Sequence, residues 1–401
     1  MNLLTPITVA DARRAVGSLL PASHASDDEF VTFAYARAVW STLVEPGDGA
    51  AGAFVAAFGP VRALTLAAED GDTIAIAELT GLTPHDVARA RARWRPRLGG
   101  STAAIASAVR FGVSLLTPDD ARWPSRLDDL GVHAPLCLWV RGDPATIGPR
   151  GDQGNSTVAI VGARAATSYG EHVAGEISAD LAGSGVSIVS GAAYGIDGIA
   201  HRAALSCDGR TIAVLAGGVD APYPRGHTDL LDRIATTSAV VAEVPCGSAP
   251  TKFRFLSRNR LIAALGDATI VVEAGWRSGS LNTAGHASAL GRPLGAVPGP
   301  VTSAASAGCH RLLREYDAAC ITRADDVREL IGLNATAFTL ESDRTDERTR
   351  ILDALSTRVG RDALEVARRS GLAVHEAQGL LGFLELEGIV ANGPRGWCRV
   401  T

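Results

Sequence analysis

The sequence predicts an α/β protein: a parallel sheet at its centre, a small helical segment before it and a helical unit with a terminal hairpin after it. Two observations carry this reading. Short β-rich runs begin at Val158, Val186, Thr211, Val240, Ile270 and Leu294, 24 to 30 residues apart, with helical patterns such as Glu171 to Ala182 and Ile199 to Leu205 between them. One strand, one helix and two turns fill such a period, so the runs read as repeated βα units. The runs are also apolar at consecutive positions (Ala159-Ile160-Val161; Ile270-Val271-Val272), the pattern of strands covered by helices on both faces.

The flanking elements follow in chain order. Residues 1–100 read as a helical domain, with apolar residues at helical spacing from Glu29 to Leu43 and from Pro60 to Ala68. Thr83-Pro84 reads as an N-cap with proline at the first helical position, opening a helix through Arg93. Arg89, Arg91, Arg93, Arg95 and Arg97 alternate there, and on a helix this spreads them over a mainly solvated surface. The sheet domain spans residues 101–331. Leu136 to Val140 reads as an outlying strand, and residues 141–157, rich in Gly, Pro and Asp, as a loop. Residues 332–349 are polar and read as a linker. In residues 350–401, helical patterns at Ile351–Leu355, Ala363–Arg369 and His375–Glu387 precede a turn at Asn392-Gly393-Pro394 and a strand at Trp397–Val400, the outline of a winged helix. Its candidate recognition helix, Val374 to Glu387, carries Glu376, Glu385 and Glu387 and no Arg or Lys, which argues against tight phosphate contact.

Composition narrows the function. The chain has 401 residues, 46% of them hydrophobic, and a net charge of −5, so a strongly basic duplex-coating protein is excluded and any nucleic-acid binding must come from a local patch. Lys252 is the single lysine among 38 basic residues. The six cysteines form no C-x-x-C pair, which argues against a zinc ribbon or dithiol site and suits a reducing compartment. The first twenty residues include Asp11 and lack a long apolar run, so no signal peptide is expected, and no run of 18 apolar residues marks a membrane span. The expected compartment is the cytoplasm, with no membrane contact, metal or cofactor.

In an open parallel sheet, ligands bind at the carboxyl ends of the strands, and the unusual residues concentrate there. Gly162-Ala163-Arg164 follows the first strand. Ser190-Gly191, Gly195-Ile196-Asp197 and His201 follow the second. Gly217-Gly218 and Tyr223-Pro224 follow the third, Lys252 to Arg260 the fourth, Glu273 and Ser278-Gly279-Ser280 the fifth, and Pro298-Gly299 the sixth. Glycines let backbone approach an anion, and helix N-termini offer free N–H groups, so Ser278 to Asn282 has the form of a phosphate cradle. From Val244 to Gly266 there are four basic residues (Lys252, Arg254, Arg258, Arg260) and no acid, with Phe253 and Phe255 between them. Read as a loop, this segment suits a groove for single-stranded nucleic acid, where charge tracks the backbone and rings stack on bases. Alternatively it is a solvated turn, with Arg258 and Arg260 pairing with Glu273 or Asp197. Asp197 and His201 could face each other on one helical turn, but the plainer reading is a helix cap and a packed histidine. No Walker A loop, Gly-x-Gly-x-x-Gly or His-Glu-x-x-His occurs.

These residues, taken in order with Tyr169-Gly170, Asn259, Thr283-Ala284, Trp123-Pro124 and Ala134-Pro135, resemble the DNA-processing protein A (DprA/Smf) family over about residues 118–330. The resemblance implies an extended Rossmann-like fold that forms a homodimer, binds single-stranded DNA without cutting it and delivers it to the recombinase RecA. It implies phosphate contacts from Arg164 and the Lys252–Arg260 segment (Lys252, Arg254, Phe255, Arg258, Asn259, Arg260), and a pocket shaped by Gly191, Gly195, Ser278 and Gly279; Asn282 joins these as a candidate DNA-binding residue. The N-terminal helices resemble the family's sterile-alpha-motif-like domain. The chain departs from the family at Gly308-Cys309-His310, at Asp317-Ala318, at Asn282 and in a loop at 145–156 that looks inserted. Two alternatives are weighed. One is a nucleotide-processing enzyme of phosphoribohydrolase type, for which Glu273 to Ser280 is a poor match to Pro-Gly-Gly-x-Gly-Thr; the other is a structural adaptor acting through the C-terminal unit.

Overall fold

The chain is described by a computed structural model covering residues 7–24, 26–148, 156–333, 341–357 and 359–400. Six helices come first: α1 (Val9–Val16), α2 (Asp28–Leu43), α3 (Gly49–Ala68), α4 (Thr73–Thr80), α5 (Pro84–Trp94) and α6 (Ser101–Arg110). Short polar side chains start most of them. Thr8, Asp27, Asp48, Asp72 and Thr83 each accept a backbone N–H of the first turn, satisfying donors that the helix itself cannot. α3 is long and apolar enough to cross a membrane. It is interrupted at Gly59 (φ 72°) just before Pro60, and Phe54, Ala63 and Leu64 are buried in the helical core, so it serves as a core helix.

The sheet follows: β1 (Ser114–Leu116), β2 (Leu138–Gly142), β3 (Thr157–Gly162), α7 (Ser168–Gly183), β4 (Ser187–Ser190), α8 (Ile196–Ser206), β5 (Thr211–Leu215), α9 (Thr228–Thr237), β6 (Ala239–Ala242), α10 (Lys252–Leu265), β7 (Ala268–Val272), α11 (Ser280–Ala289), β8 (Leu294–Ala296), α12 (Ala307–Glu315), β9 (Ala319–Cys320) and α13 (Ala324–Leu330). The strand order is β1-β2-β6-β5-β4-β3-β7-β8-β9. β3 to β9 are mutually parallel, and β1 and β2 extend the β6 edge antiparallel. The order reverses between β3 and β7, which pair with Ile160 opposite Ile270 and Gly162 opposite Val272. This is the parallel βα sheet expected from the strand spacing and the extended Rossmann-like core that the resemblance implies, and the reversal makes a switch-point crevice at the carboxyl edge. The departure segment 145–156 contains a short turn at Pro144–Thr146; residues 149–155 lie outside the described residues.

The N-terminal helices share a core with one face of the sheet. Trp40, Phe54 and Trp94 pack edge to face, and the same cluster takes in Trp139 of β2 with Val240 and Ala242 of β6. The Trp139 indole donates to Ser41 Oγ at 3.3 Å. The described residues up to Leu333 accordingly cluster into one unit and those beyond it into a second.

Two sequence readings change here. Of the arginines of α5 and the turn after it, Arg89, Arg93 and Arg97 are exposed as expected and Arg95 is partly buried, but Arg91 departs from the solvated reading. Arg91 is buried and donates to Leu66 O (2.7 and 2.9 Å) and Gly71 O (3.1 Å); Arg95 reaches Ala67 O and Glu69 O, and Arg97 reaches Leu43 O. They supply donors to the carbonyls that the ends of α2 and α3 leave open. Lys252 to Arg260 is not a loop but the first part of α10, started by Thr251, whose hydroxyl accepts Arg254 N at 3.2 Å. No apolar stripe announces this helix because Arg258, Asn259 and Arg260 occupy buried positions on it.

The second unit holds α14 (Glu341–Ala354), α15 (Ala363–Ser370), α16 (Val374–Leu386) and a hairpin of β10 (Val390–Gly393) and β11 (Gly396–Arg399). Ile351, Val366, Leu381, Leu384 and Val390 form its core. α14 reaches back into the stretch read as linker, of which residues 334–340 lie outside the described residues. Its first turns are too polar to show periodicity, yet they are built from helix-tolerant residues, and Arg348 pairs with Glu387 at 2.7 Å.

Candidate nucleic-acid interface

A cavity of about 560 Å³ opens at the switch point. Its walls are the turn after β3 (Gly162 to Ala165), the side of α10 carrying Phe255, Leu256, Arg258 and Asn259, and the β7–α11 loop from Gly275 to Ser280.

Arg164 stands at the mouth. It is exposed, and its guanidinium carbon lies 5.2 Å from the centre of the Phe255 ring, a cation–π distance. Tyr223 flanks the same ring at 5.6 Å. The turn that carries Arg164 is tied down by Glu273, at the carboxyl end of β7. Glu273 has a positive φ of 53° and accepts Thr167 N at 2.9 Å and Thr167 Oγ1 at 2.5 Å. Thr167 in turn caps α7.

Behind this mouth lies Arg258, buried against the ends of β4 and β5. It donates to Gly191 O at 2.8 Å, to Val214 O and to Asn259 Oδ1 at 3.1 Å. Burial pushes its pKa down to about 10, against the pull of nearby Asp197, so it stays charged at neutral pH. Gly191 leaves the room it needs, since a Cβ there would sit 2.5 Å from both terminal guanidinium nitrogens. Asp197 accepts Gly191 N at 3.1 Å and Ala193 N at 3.4 Å, which shapes the β4–α8 turn; burial raises its pKa while Arg258 opposes the rise. Gly195 (φ 74°) precedes α8, and a Cβ on it would meet Ala163 O at 2.2 Å. His201, four residues after Asp197, is fully buried. Its Nδ1 bonds Thr211 Oγ1 at 2.6 Å, and burial lowers its pKa to about 3, so it is neutral.

On the far wall, Ser278 Oγ lies 2.7 Å from Ser280 Oγ, and Gly279 is the N-cap of α11, with no side-chain capping bond. Asn259 donates to Asn282 Oδ1 at 3.1 Å, joining α10 to α11. Arg277 is exposed and lines the cavity, with no ion-pair partner among the described residues. Sequence reading passed it over because it is a single cation in a glycine-serine loop; its place between a strand end and a helix start was the available signal.

The structure therefore brings together Arg164, Gly191, Gly195, Phe255, Arg258, Asn259, Ser278, Gly279 and Asn282. Lys252 is exposed at the first position of α10. Arg254 and Arg260 lie elsewhere. Arg260 is buried and pairs with Glu243 at 2.7 and 2.8 Å and donates to His133 O; Glu243 also accepts Gly47 N at 3.1 Å. Arg254 pairs with Glu45 at 2.8 Å. Burial pushes the Glu45 carboxyl up, but Arg254 and Arg97 outweigh it and hold it below its usual value. These two arginines fasten the α2–α3 loop to the sheet domain. The pairing predicted for Arg260 with Glu273 or Asp197 is replaced by Glu243, one residue before the acid-free run.

The edge is also aromatic. Tyr169, Tyr194, Tyr223, Phe253 and Trp276 are all exposed, one after each of β3, β4, β5, β6 and β7. Among the described residues no cluster of His, Cys, Asp and Glu has the makings of a metal site.

Comparison with known proteins agrees with this architecture. The family model for DNA recombination-mediator protein A matches residues 114–332. A Mycobacterium tuberculosis protein described as a DNA processing protein DprA is 46% identical over 311 residues, 72% of this chain and 77% of its own. The DNA processing protein DprA of Bacillus subtilis is 35% identical over 218 residues, 54% of this chain and 71% of its own. The solved structure of DprA from Streptococcus pneumoniae superposes with a TM-score of 0.59 at 29% identity, covering 74% of this chain and 97% of that one.

Proposed function

Since the chain belongs to the DNA recombination-mediator protein A family, we propose that it holds single-stranded DNA in the switch-point groove, without cutting it, and passes the strand to the recombinase RecA. The observation that carries this reading is the charge balance of the groove. Arg164 and Arg277 are exposed there and unpaired among the described residues, with Lys252 nearby, while the adjacent acids are engaged: Asp197 by backbone N–H groups and Glu273 by Thr167. A chain of net charge −5 thus presents a locally cationic edge.

The exposed rings support a single strand over a duplex, because a base stacks on an aromatic face only when it is free of its partner. In this reading Arg164, Lys252 and Arg277 meet phosphates, Phe255 meets a base, and Ser278 and Gly279 present the start of α11. Arg258, Gly191, Gly195, Asn259 and Asn282 hold the walls in place. Glu273, the acid a nucleotide hydrolase would use here, has both oxygens on Thr167, which weighs against the enzymatic alternative. The family resemblance extends the proposal to a homodimer acting in the cytoplasm.

Fluorescence anisotropy of labelled oligo-dT, with matched duplex as competitor and salt as the variable, tests the reading. The single strand should win, and its affinity should fall with salt at a slope of about −0.7 per phosphate contact. Arg164→Ala combined with Arg277→Ala should remove most of the binding; full binding by that variant would sink the assignment. Assembly of RecA on a strand already coated by a single-strand-binding protein tests the delivery step, which predicts faster assembly in the presence of this protein.

A further inference from the structure

A second groove, of about 610 Å³, opens beside the first turn of α10. Leu43, Val44, Pro46 and Trp94 give it an apolar floor. Phe253 stands at its side with 56% of its surface exposed. Arg93 and Arg97 lie on its rim with about half of each side chain exposed, 50% and 46%. The two acids in its lining are Glu45, which bonds Arg254 and Arg97, and Asp48, which accepts Arg93 at 3.0 Å and the Trp94 indole at 3.1 Å and caps α3. Three guanidinium groups thus face two carboxylates.

We propose that this groove is a second nucleotide subsite for the same strand, in which a base stacks on Phe253 and its phosphate meets Arg93 and Arg97. The inference rests on the strand-binding reading and deepens it. Continuity supports it: Phe255 and Leu256 line the first cavity and Phe253, on the other side of the start of α10, lines the second, with exposed Lys252 at the helix start. A strand leaving the switch point over the helix start enters the second groove. Its chemistry fits a nucleotide, since a lone anion has no use for an exposed ring, and an apolar peptide has none for the arginine-rich rim. The helical segment then has a share in binding, through the loop that Arg254 and Arg260 fasten to the sheet.

The test compares oligo-dT of about six nucleotides, enough for one groove, with oligo-dT of about twenty, enough for both. With the full chain, Phe253→Ala should weaken the long strand about tenfold and leave the short one within about twofold, while Phe253→Trp should retain the long-strand affinity. An equal effect on both lengths, or none on either, overturns the second subsite. Arg164→Ala serves as the control: it should weaken both lengths, and if it changes neither, the switch-point reading fails on its own account, whatever Phe253 does. Unchanged thermal midpoints in the Phe253 variants would show that the fold is intact. Wild-type protein that binds neither length overturns both readings.

Discussion

The cations of one short helix meet opposite fates. Arg254 and Arg260 are bound to Glu45 and Glu243 at the seam with the N-terminal helices, whereas Lys252, on the same helix, and Arg164 and Arg277 on the loops facing it are exposed without acid partners among the described residues. A basic run in a sequence is therefore not one object. What separates the two sets is where the neighbouring acids lie: Glu243 ends the acid-containing stretch just before the run, and Glu45 reaches Arg254 from the α2–α3 loop. One set should govern folding and the other binding.

The sharpest way to break this comparison is Arg260→Ala. It leaves the partly buried Glu243 without its cation and should cost about 3 kcal/mol of stability, read by denaturant unfolding. The fraction still folded should bind a strand of about six nucleotides, which needs only the switch-point groove, within about twofold of wild type. A variant of full stability but impaired binding would invert the assignment.

Acid should act next, through His201. Its folded pKa is about 3, below the ordinary value of 6.5, so the unfolded chain takes up the proton first. The stability this contributes is complete above pH 6.5 and is lost as pH falls through the window toward 3, at about 1.4 kcal/mol per pH unit. Unfolding free energies at pH 7 and 5 should differ accordingly, and His201→Gln should flatten that dependence.

Gly191→Ala sharpens the comparison at its boundary, because Arg258 is both buried and part of the groove wall. The added methyl would press on the guanidinium, with an expected cost of about 1–3 kcal/mol and a weakening of strand binding. Loss of stability with unchanged binding would show that Arg258 is scaffold alone. The smallest change in stability belongs to Arg277→Ala, within about 0.5 kcal/mol; its salt slope for oligo-dT should shrink by about 0.7.

The parallel sheet was legible because strands covered on both faces are continuously apolar, as in Val158 to Val161 and Ile270 to Val272. Thr83-Pro84 was legible because a cap is a local event. α10 was hidden since its buried positions hold Arg258, Asn259 and Arg260, whose partners Gly191, Asn282 and Glu243 are remote in sequence. The same remoteness concealed the buried role of Arg91 on Leu66 and Gly71. β9, two residues long, carries too little pattern to register. Of the site, the glycines and Arg164 could be read from their positions after strands. Arg277 could not, because nothing periodic marks it.

The contact between Arg164 and Phe255 bears on how long a guest stays. One face of that ring is covered before any strand arrives. A base that settles there must displace the guanidinium or lie outside it, so it gains only the difference between the new stack and the old. When the base leaves, Arg164 closes over the ring again and the vacated surface is not left bare to water. A seat that refills itself favours exchange over permanent capture, the behaviour that the proposed delivery of the strand would require.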